Sequence, residues 1–240
     1  GLIIIALAST IVKQSIIDQV ENSLKGTAIA TQAAYDQNAG SYLKSNLIGY
    51  VAAQDSSNSE VTGGIDAFAI GVASVNPDAK INVIITNSWY DPEKEEAASR
   101  QLLDMGCDVM AQHCDTAYPQ TLAQERGVYG IGYNSDMSKE TPDSCLTSVI
   151  WNWSAYYTSA VKSIIDGSWD GSNYYGGMAE GLVGITNLAS FAAEGTQEKV
   201  DEATAAILSG QSNVFDGVMT TNTRRSEEHT SELQSLPNRG

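Results

Sequence analysis

Ile81–Glu96, INVIITNSWYDPEKEE, limits what this 240-residue chain can fold into more than any other stretch. Ile81–Thr86 is a short β-branched apolar run, the composition of a strand buried on both faces of a parallel sheet. Asn87-Ser88-Trp89-Tyr90-Asp91-Pro92 breaks the run. Within it, Asp91 followed by Pro92 reads as a helix N-cap with proline at the first helical position. Glu93–Met105 then forms a helix with Ala97, Leu102 and Leu103 to bury. Strand, polar loop with an aromatic pair, and capped helix make a βα unit. In open α/β sheets, ligands sit where such loops leave the carboxyl ends of the strands.

The same alternation runs on both sides of this unit. Leu47–Ala53, LIGYVAA, is a buried strand, Gln54–Ser59 a polar loop, and Glu60–Val75 a helix carrying Val61, Ile65, Phe68, Ile70 and Val72 despite Gly63 and Gly64. Asn76-Pro77-Asp78 is a turn. Gly106 stops the helix that follows the opening stretch. Asp108–Gln112 is a third strand ending in His113-Cys114-Asp115, and Pro119–Arg126 a short helix. Val128–Tyr133 is a fourth strand ending in Asn134-Ser135-Asp136, and Leu146–Ile150 a fifth. Trp153–Asp166 is helical up to Gly167, Gly176–Ile185 is a Gly-spaced extended segment, and Thr196–Leu208 is a last helix stopped by Gly210. Strands alternating with helices at this pace predict an α/β fold built on a doubly wound parallel sheet.

The two ends read differently. The chain starts on Gly1, as a fragment would. Gly1–Val12 is strongly apolar but shorter than the roughly 20 residues that span a bilayer. It reads either as the tail of a membrane span or as a buried strand or helix. Lys13–Tyr35 places Ile16, Ile17, Val20, Leu24, Ala28 and Thr31 on one stripe, with Asp18, Glu21 and Lys25 turned away, which predicts a long amphipathic helix. Composition shifts at Lys44-Ser45-Asn46 and again in the hydrophilic tail, so the expected division is 1–44, 45–222 and a disordered 223–240.

Charge and side-chain inventory exclude several functions. A formal charge of −16 argues against a nucleic-acid surface and against binding acidic membranes through the protein body. Three cysteines, Cys107, Cys114 and Cys145, are too few and too odd in number for a disulfide framework. Their spacing fits no zinc pattern, and the chain has only His113 and His229, so no metal or other cofactor is expected. GxGxxG after the first strand, GxxxxGK[ST] and GxSxG are all missing, which argues against an enzyme.

Three resemblances overlie this reading. VKQSIIDQVENSLKGTAIATQAAYDQNAGSY, within residues 1–42, resembles the start of the Cache-type ectodomain of methyl-accepting chemotaxis receptors. RSEEHTSELQS, 225–235, resembles the conceptual translation of a sequencing adapter; a hydrophilic natural tail is the alternative. Thr223–Gly240 is therefore left out of the fold expectation. From about 47 to 219, IGYVAA, EVTGGIDAFAIGVASVNPDA, TNSWYDPEKE, GCDVMAQHCD, ERGVYGIGYNSD, SVIWNWSAYY, DGSWDGSNYYGG and GLVG resemble the BMP (basic membrane protein, PnrA-like) substrate-binding proteins of ABC transporters. That resemblance implies a type I periplasmic-binding-protein fold, here largely one lobe. Family members normally carry a first lobe ahead of the LIGYVAA segment, so the resemblance also implies an artificial or misassembled join near Lys44–Leu47.

What the BMP resemblance implies for function is an extracytoplasmic solute-binding component of an ABC importer, periplasmic or on the cell surface. Its ligand would be a small molecule, a purine nucleoside in particular, and its partners ABC permease subunits. Membrane association would come only through a lipid anchor or the N-terminal segment. The alternative is the ligand-sensing ectodomain of a chemotaxis receptor. A nucleoside site needs an aromatic face for the base and carboxylates for the ribose hydroxyls. Trp89 and Tyr90 are the obvious aromatics, a tryptophan folded back on its own lobe being the alternative. Asp91 fits a helix cap better than a ligand contact. His113 and Asp115 match the family loop that faces the cleft, His113 as a polar contact only. Asp136, in YNSD, resembles the family's ribose-binding aspartate. Trp151 and Trp153 share a side if extended, for core or inter-lobe packing or for base stacking. Glu180 is the remaining cleft candidate.

Overall fold

The computed structural model describes residues 45–174, 176–211, 219–220 and 225–226. The expected apolar start Gly1–Val12 and amphipathic helix Lys13–Tyr35 lie outside the described residues, as does most of the tail. Arg225–Ser226 (β8) of that tail pairs antiparallel with Met219–Thr220 (β7).

Six strands form the main sheet: β1 Leu47–Ala52, β2 Lys80–Ile85, β3 Val109–Gln112, β4 Tyr129–Asn134, β5 Cys145–Trp151 and β6 Val183–Ile185, in the order β2-β1-β3-β4-β5-β6. The first five are mutually parallel. β6 runs antiparallel beside β5, and it is the only strand that forms within the expected extended segment Gly176–Ile185. Among the described residues four α-helices lie between these strands, α1 Ser59–Val75, α2 Pro92–Asp104, α3 Tyr118–Glu125 and α4 Ser154–Asp166, and α5 Thr196–Leu208 follows β6.

Adjacent residues of β1 show how the sheet is covered. Tyr50 meets Phe68 of α1 edge-on, ring centroids 5.4 Å apart. Gly49, its neighbour, faces Leu102 of α2 and Met110, where a Cβ would stand 2.6 Å from the Met110 sulfur. Successive side chains of a strand point to opposite faces, so α1 and α2 cover opposite sides, and the sheet is doubly wound. α2 starts at the cap the sequence indicates, and α1 starts at Ser59, one residue before the expected Glu60. Asn58 caps α1 by accepting from the Val61 amide at 3.1 Å, and Asp91 caps α2 by accepting from the Lys94 amide at 3.2 Å.

One expectation is corrected. The Ile81–Thr86 run is not buried on both faces: β2 is the outermost strand, with Val83 39% and Ile85 44% exposed. Only Ile81 and Ile84 pack on the core. An edge strand lacks a neighbour on one side, and its apolar run reflects β-branched preference for pleated backbone as much as burial. The most buried strands lie further in, at β3 and at β1 after Leu47.

Candidate ligand-binding site

After β1 the chain steps outward to β2, then crosses back to place β3 on the other side of β1. Where strand order reverses in this way, the loops at the carboxyl ends diverge and leave a crevice. The loops after β2, β3 and β4 meet there and are bonded to one another. The Asp115 amide donates to the Trp89 carbonyl at 2.8 Å, and the Asn134 amide group donates to Asp115 Oδ1 at 3.1 Å. Thr86 Oγ1 donates to carbonyls of Ala52 and Ser88, fixing the start of the β2 loop. Asn87 and Asn134 adopt φ of 54° and 69°, the left-handed region that asparagine tolerates, and so turn the chain sharply at the ends of β2 and β4.

Around this crevice Trp89 and Trp151 pack against one buried group, Ala67, Tyr133 and Val149. Trp153 stacks on Trp151, centroids 5.8 Å apart and planes 14° from parallel. Tyr133 donates toward Glu60 Oε1 at 3.4 Å, which brings the first turn of α1 to the same place. Asp115 and Trp153 are exposed; Trp89 and Trp151 are half-buried. Of the sequence candidates, Trp89, Asp115, Trp151 and Trp153 thus gather on one end of the sheet.

The other candidates are placed differently. His113 is fully buried beneath the loops, Nδ1 2.6 Å from the Tyr50 hydroxyl and its ring 4.8 Å from that of Tyr133. Burial pushes its pKa down to about 3, so the ring is neutral. It belongs to the core and does not reach the surface of the crevice. Asp91 is committed to its cap and to an ion pair with Lys94 at 2.9 Å. Tyr90 is 69% exposed. Asp136 ends the β4 loop; its Oδ1 accepts from the Ser138 amide at 3.1 Å and hydroxyl at 2.6 Å, which hold its carboxyl below the usual range. Glu180 lies in the turn before β6, where Oε2 accepts from the Gly177 amide at 2.6 Å.

Sequence reasoning missed Glu60, Tyr133 and Asn134. Desolvation raises the Glu60 pKa, with the Tyr133 hydroxyl opposing and the charge of Asp115 adding to it. A glutamate in a first helical turn reads as ordinary helix chemistry, so nothing local singled it out. Asn134 carried a signal, an asparagine placed directly after a strand. Among the described residues, no group of three or more His, Cys, Asp or Glu side chains could hold a metal ion. Cys107, Cys114 and Cys145 are buried free thiols, and burial pushes Cys114 up to about 12.

Known proteins are similar to this chain in sequence and in fold. A family model described as ABC transporter substrate-binding protein PnrA-like matches residues 37–214. A purine-binding protein of Brucella abortus is 40% identical over 158 residues, 66% of this chain and 45% of that protein. A Haloferax volcanii protein assigned as an ABC transporter glucose-binding protein is 34% identical over 181 residues, 75% of this chain and 46% of that one. The chain therefore spans about half the length of the curated relatives it matches. Among solved structures, an ABC transporter solute-binding protein from Aeropyrum pernix superposes with a TM-score of 0.61 at 15% identity, covering 92% of this chain and 69% of the other. At that identity the likeness shows the fold alone.

Proposed function

Because the chain belongs to the PnrA-like family of ABC transporter substrate-binding proteins, we propose that its crevice takes a purine nucleoside for delivery to ABC permease subunits. The observation that carries the reading is the gathering of aromatic faces and carboxylates on one sheet end. Trp89 and Trp151 flank Tyr133, and Trp153 extends Trp151. Flat apolar faces suit a purine base. Asp115 stands among them as an acceptor and Asp136, further along the β4 loop, is the second acceptor of the proposal, since a carboxylate accepts from two ribose hydroxyls at once. Asp136 has one oxygen engaged by Ser138, and its other oxygen makes no hydrogen bond among the described residues. Glu60 adds a third carboxyl.

The family places such proteins outside the cytoplasm, and periplasmic or cell-surface residence follows. Attachment through a lipid anchor or the N-terminal segment is part of the proposal, as is a further lobe that completes the site. Among the described residues no helix is long and apolar enough to cross a membrane. The names of the two relatives favour different ligands, a purine and glucose, and the paired indoles favour the purine. An NMR-monitored titration decides between them. Inosine should give saturable shifts at Trp89, Trp151 and Asp115, and glucose should not. Asp136→Ala should weaken inosine more than hypoxanthine, the same base without ribose. An equal loss for both removes Asp136 from ribose recognition, and saturation by glucose alone refutes the purine reading.

A further inference from the structure

Glu95 is a fully buried carboxylate in the first turns of α2, and among the described residues it makes no ion pair. A carboxyl group in such a place is costly unless donors surround it. Two do, and they come from different loops. The Asp91 amide, in the β2 loop, donates to Oε1 at 2.9 Å. The Thr116 hydroxyl, in the β3 loop, donates to Oε2. Thr116 bridges the two sides: its oxygen accepts from the Tyr118 amide at 3.2 Å while its proton is directed at Glu95. Both partners are therefore donors, and only a group that accepts through both oxygens answers them. A glutamine of the same shape would turn an NH2 against one of them.

These two donors stand next to the ligand-facing residues. Asp91 follows Trp89 and Tyr90, and Thr116 follows Asp115. The amide of Asp115 in turn donates to the carbonyl of Trp89. Gln112 stiffens the β3 side, its amide nitrogen donating to the carbonyls of Cys114 at 2.8 Å and Thr116 at 2.6 Å.

We propose that Glu95 is a positioning residue for the site: its carboxylate ties the Trp89–Asp91 loop to the Asp115–Thr116 loop and so sets the spacing of the aromatic face and the carboxylate. The proposal rests on the ligand reading above for its purpose, but the tie itself can be tested without ligand. It also accounts for a buried carboxyl group on a helix whose Lys94 amide is already capped by Asp91.

The test is amide hydrogen exchange on the full chain without ligand, followed by inosine titration. Glu95→Gln and Thr116→Val should each speed exchange at both Asp91 and Asp115 by about tenfold, the equivalent of one net hydrogen bond. Amides in β1 and β3 should keep the parent rate. Thr116→Ser, which keeps the hydroxyl, should restore slow exchange, and Glu96→Gln, on the exposed side of the same turn, should behave as the parent. Affinity for inosine should fall in Glu95→Gln and Thr116→Val and recover in Thr116→Ser. Acceleration confined to Asp91 would reduce Glu95 to a helix cap and overturn the proposal. Uniform acceleration of all amides would make it a general stabiliser and overturn it equally. Loosened loops in a protein whose parent form gives no inosine shifts would uphold the tie and refute the ligand reading.

Discussion

At Gly130 a methyl group has no room. A Cβ there would overlap Oε1 of Gln120, and that side chain cannot swing away. It is fully buried, and its nitrogen donates to the carbonyls of Ile131 at 2.8 Å and Met110 at 3.3 Å and to Gln112 Oε1 at 2.9 Å. Gly130→Ala should cost about 1–3 kcal/mol, the usual penalty for overpacking. Urea unfolding checks it, and Gln120→Ala in the same chain should cost less than the sum of the two single changes if the clash is the cause. Glu60 makes a pH prediction. Its pKa is raised from 4.5, so the folded chain holds this proton more tightly than the unfolded chain does. The resulting stability is fully present below about pH 4.5 and is lost as pH rises through the folded value. Glu60→Gln should remove that decline, seen as a converging difference in urea midpoints between variant and parent as pH falls. A parent whose difference from Glu60→Gln stays constant with pH would contradict the raised pKa. Residue types showed which loops carried polar and aromatic groups, but not which side chains turn inward. His113 illustrates why: its neighbours Gln112 and Cys114 are buried as well, so alternation along the strand could not place it.

Elements were legible where a local signal fixes an end. Asp91 before Pro92 and Gly167 at φ 78° mark helix ends by hydrogen bonding or backbone geometry within a few residues, and the structure adds Asn58, within the expected polar loop, as the cap of α1. Asn58→Ala should therefore cost about 1 kcal/mol, by loss of the bond to the Val61 amide, and Asn58→Asp should cost little. Denaturant midpoints of the two variants test this. Lateral position in a sheet has no such local signal, since edge and centre differ only in what pairs alongside. That is why the apolar run of β2 misled and the buried runs of β1 and β3 did not. α4 poses the same problem for helices. Its sequence carries an apolar stripe, yet none of its side chains is buried; Tyr157, Val161, Ile164 and Ile165 are all exposed, Ile165 at 80%. A period of 3.6 announces that a face exists, not what covers it. Ile165→Lys should accordingly change stability by less than about 0.5 kcal/mol, whereas Val61→Ala, in the core face of α1, should cost more than 1 kcal/mol. A large loss from Ile165→Lys in thermal unfolding would mean that α4 is covered.

For the whole molecule, the decisive quantity is how much of a ligand one sheet end can hold. The crevice residues gather on the carboxyl ends of a single sheet, and their outer members, Asp115 and Trp153, face water. A hydrogen bond made against water contributes far less than one in a closed site, because the donor and acceptor give up little by remaining solvated. The curated relatives carry about as much chain again as the matched part. If that remainder supplies a second wall, each wall contributes only a share of the contact free energy. Micromolar binding corresponds to about −8 kcal/mol, and half of it is about −4 kcal/mol, or millimolar. The present chain should therefore bind inosine no more tightly than about millimolar. A chimera carrying the amino-terminal portion of a relative ahead of Leu47 should bind at least about a hundredfold more tightly. In that chimera Ile165→Lys, harmless before, should lower stability if α4 is among the surfaces the added portion covers. Titration of both proteins under one set of conditions measures the difference. Micromolar binding by the present chain would show that one sheet end suffices, and equal millimolar binding by both would show that the added portion does not close over this crevice.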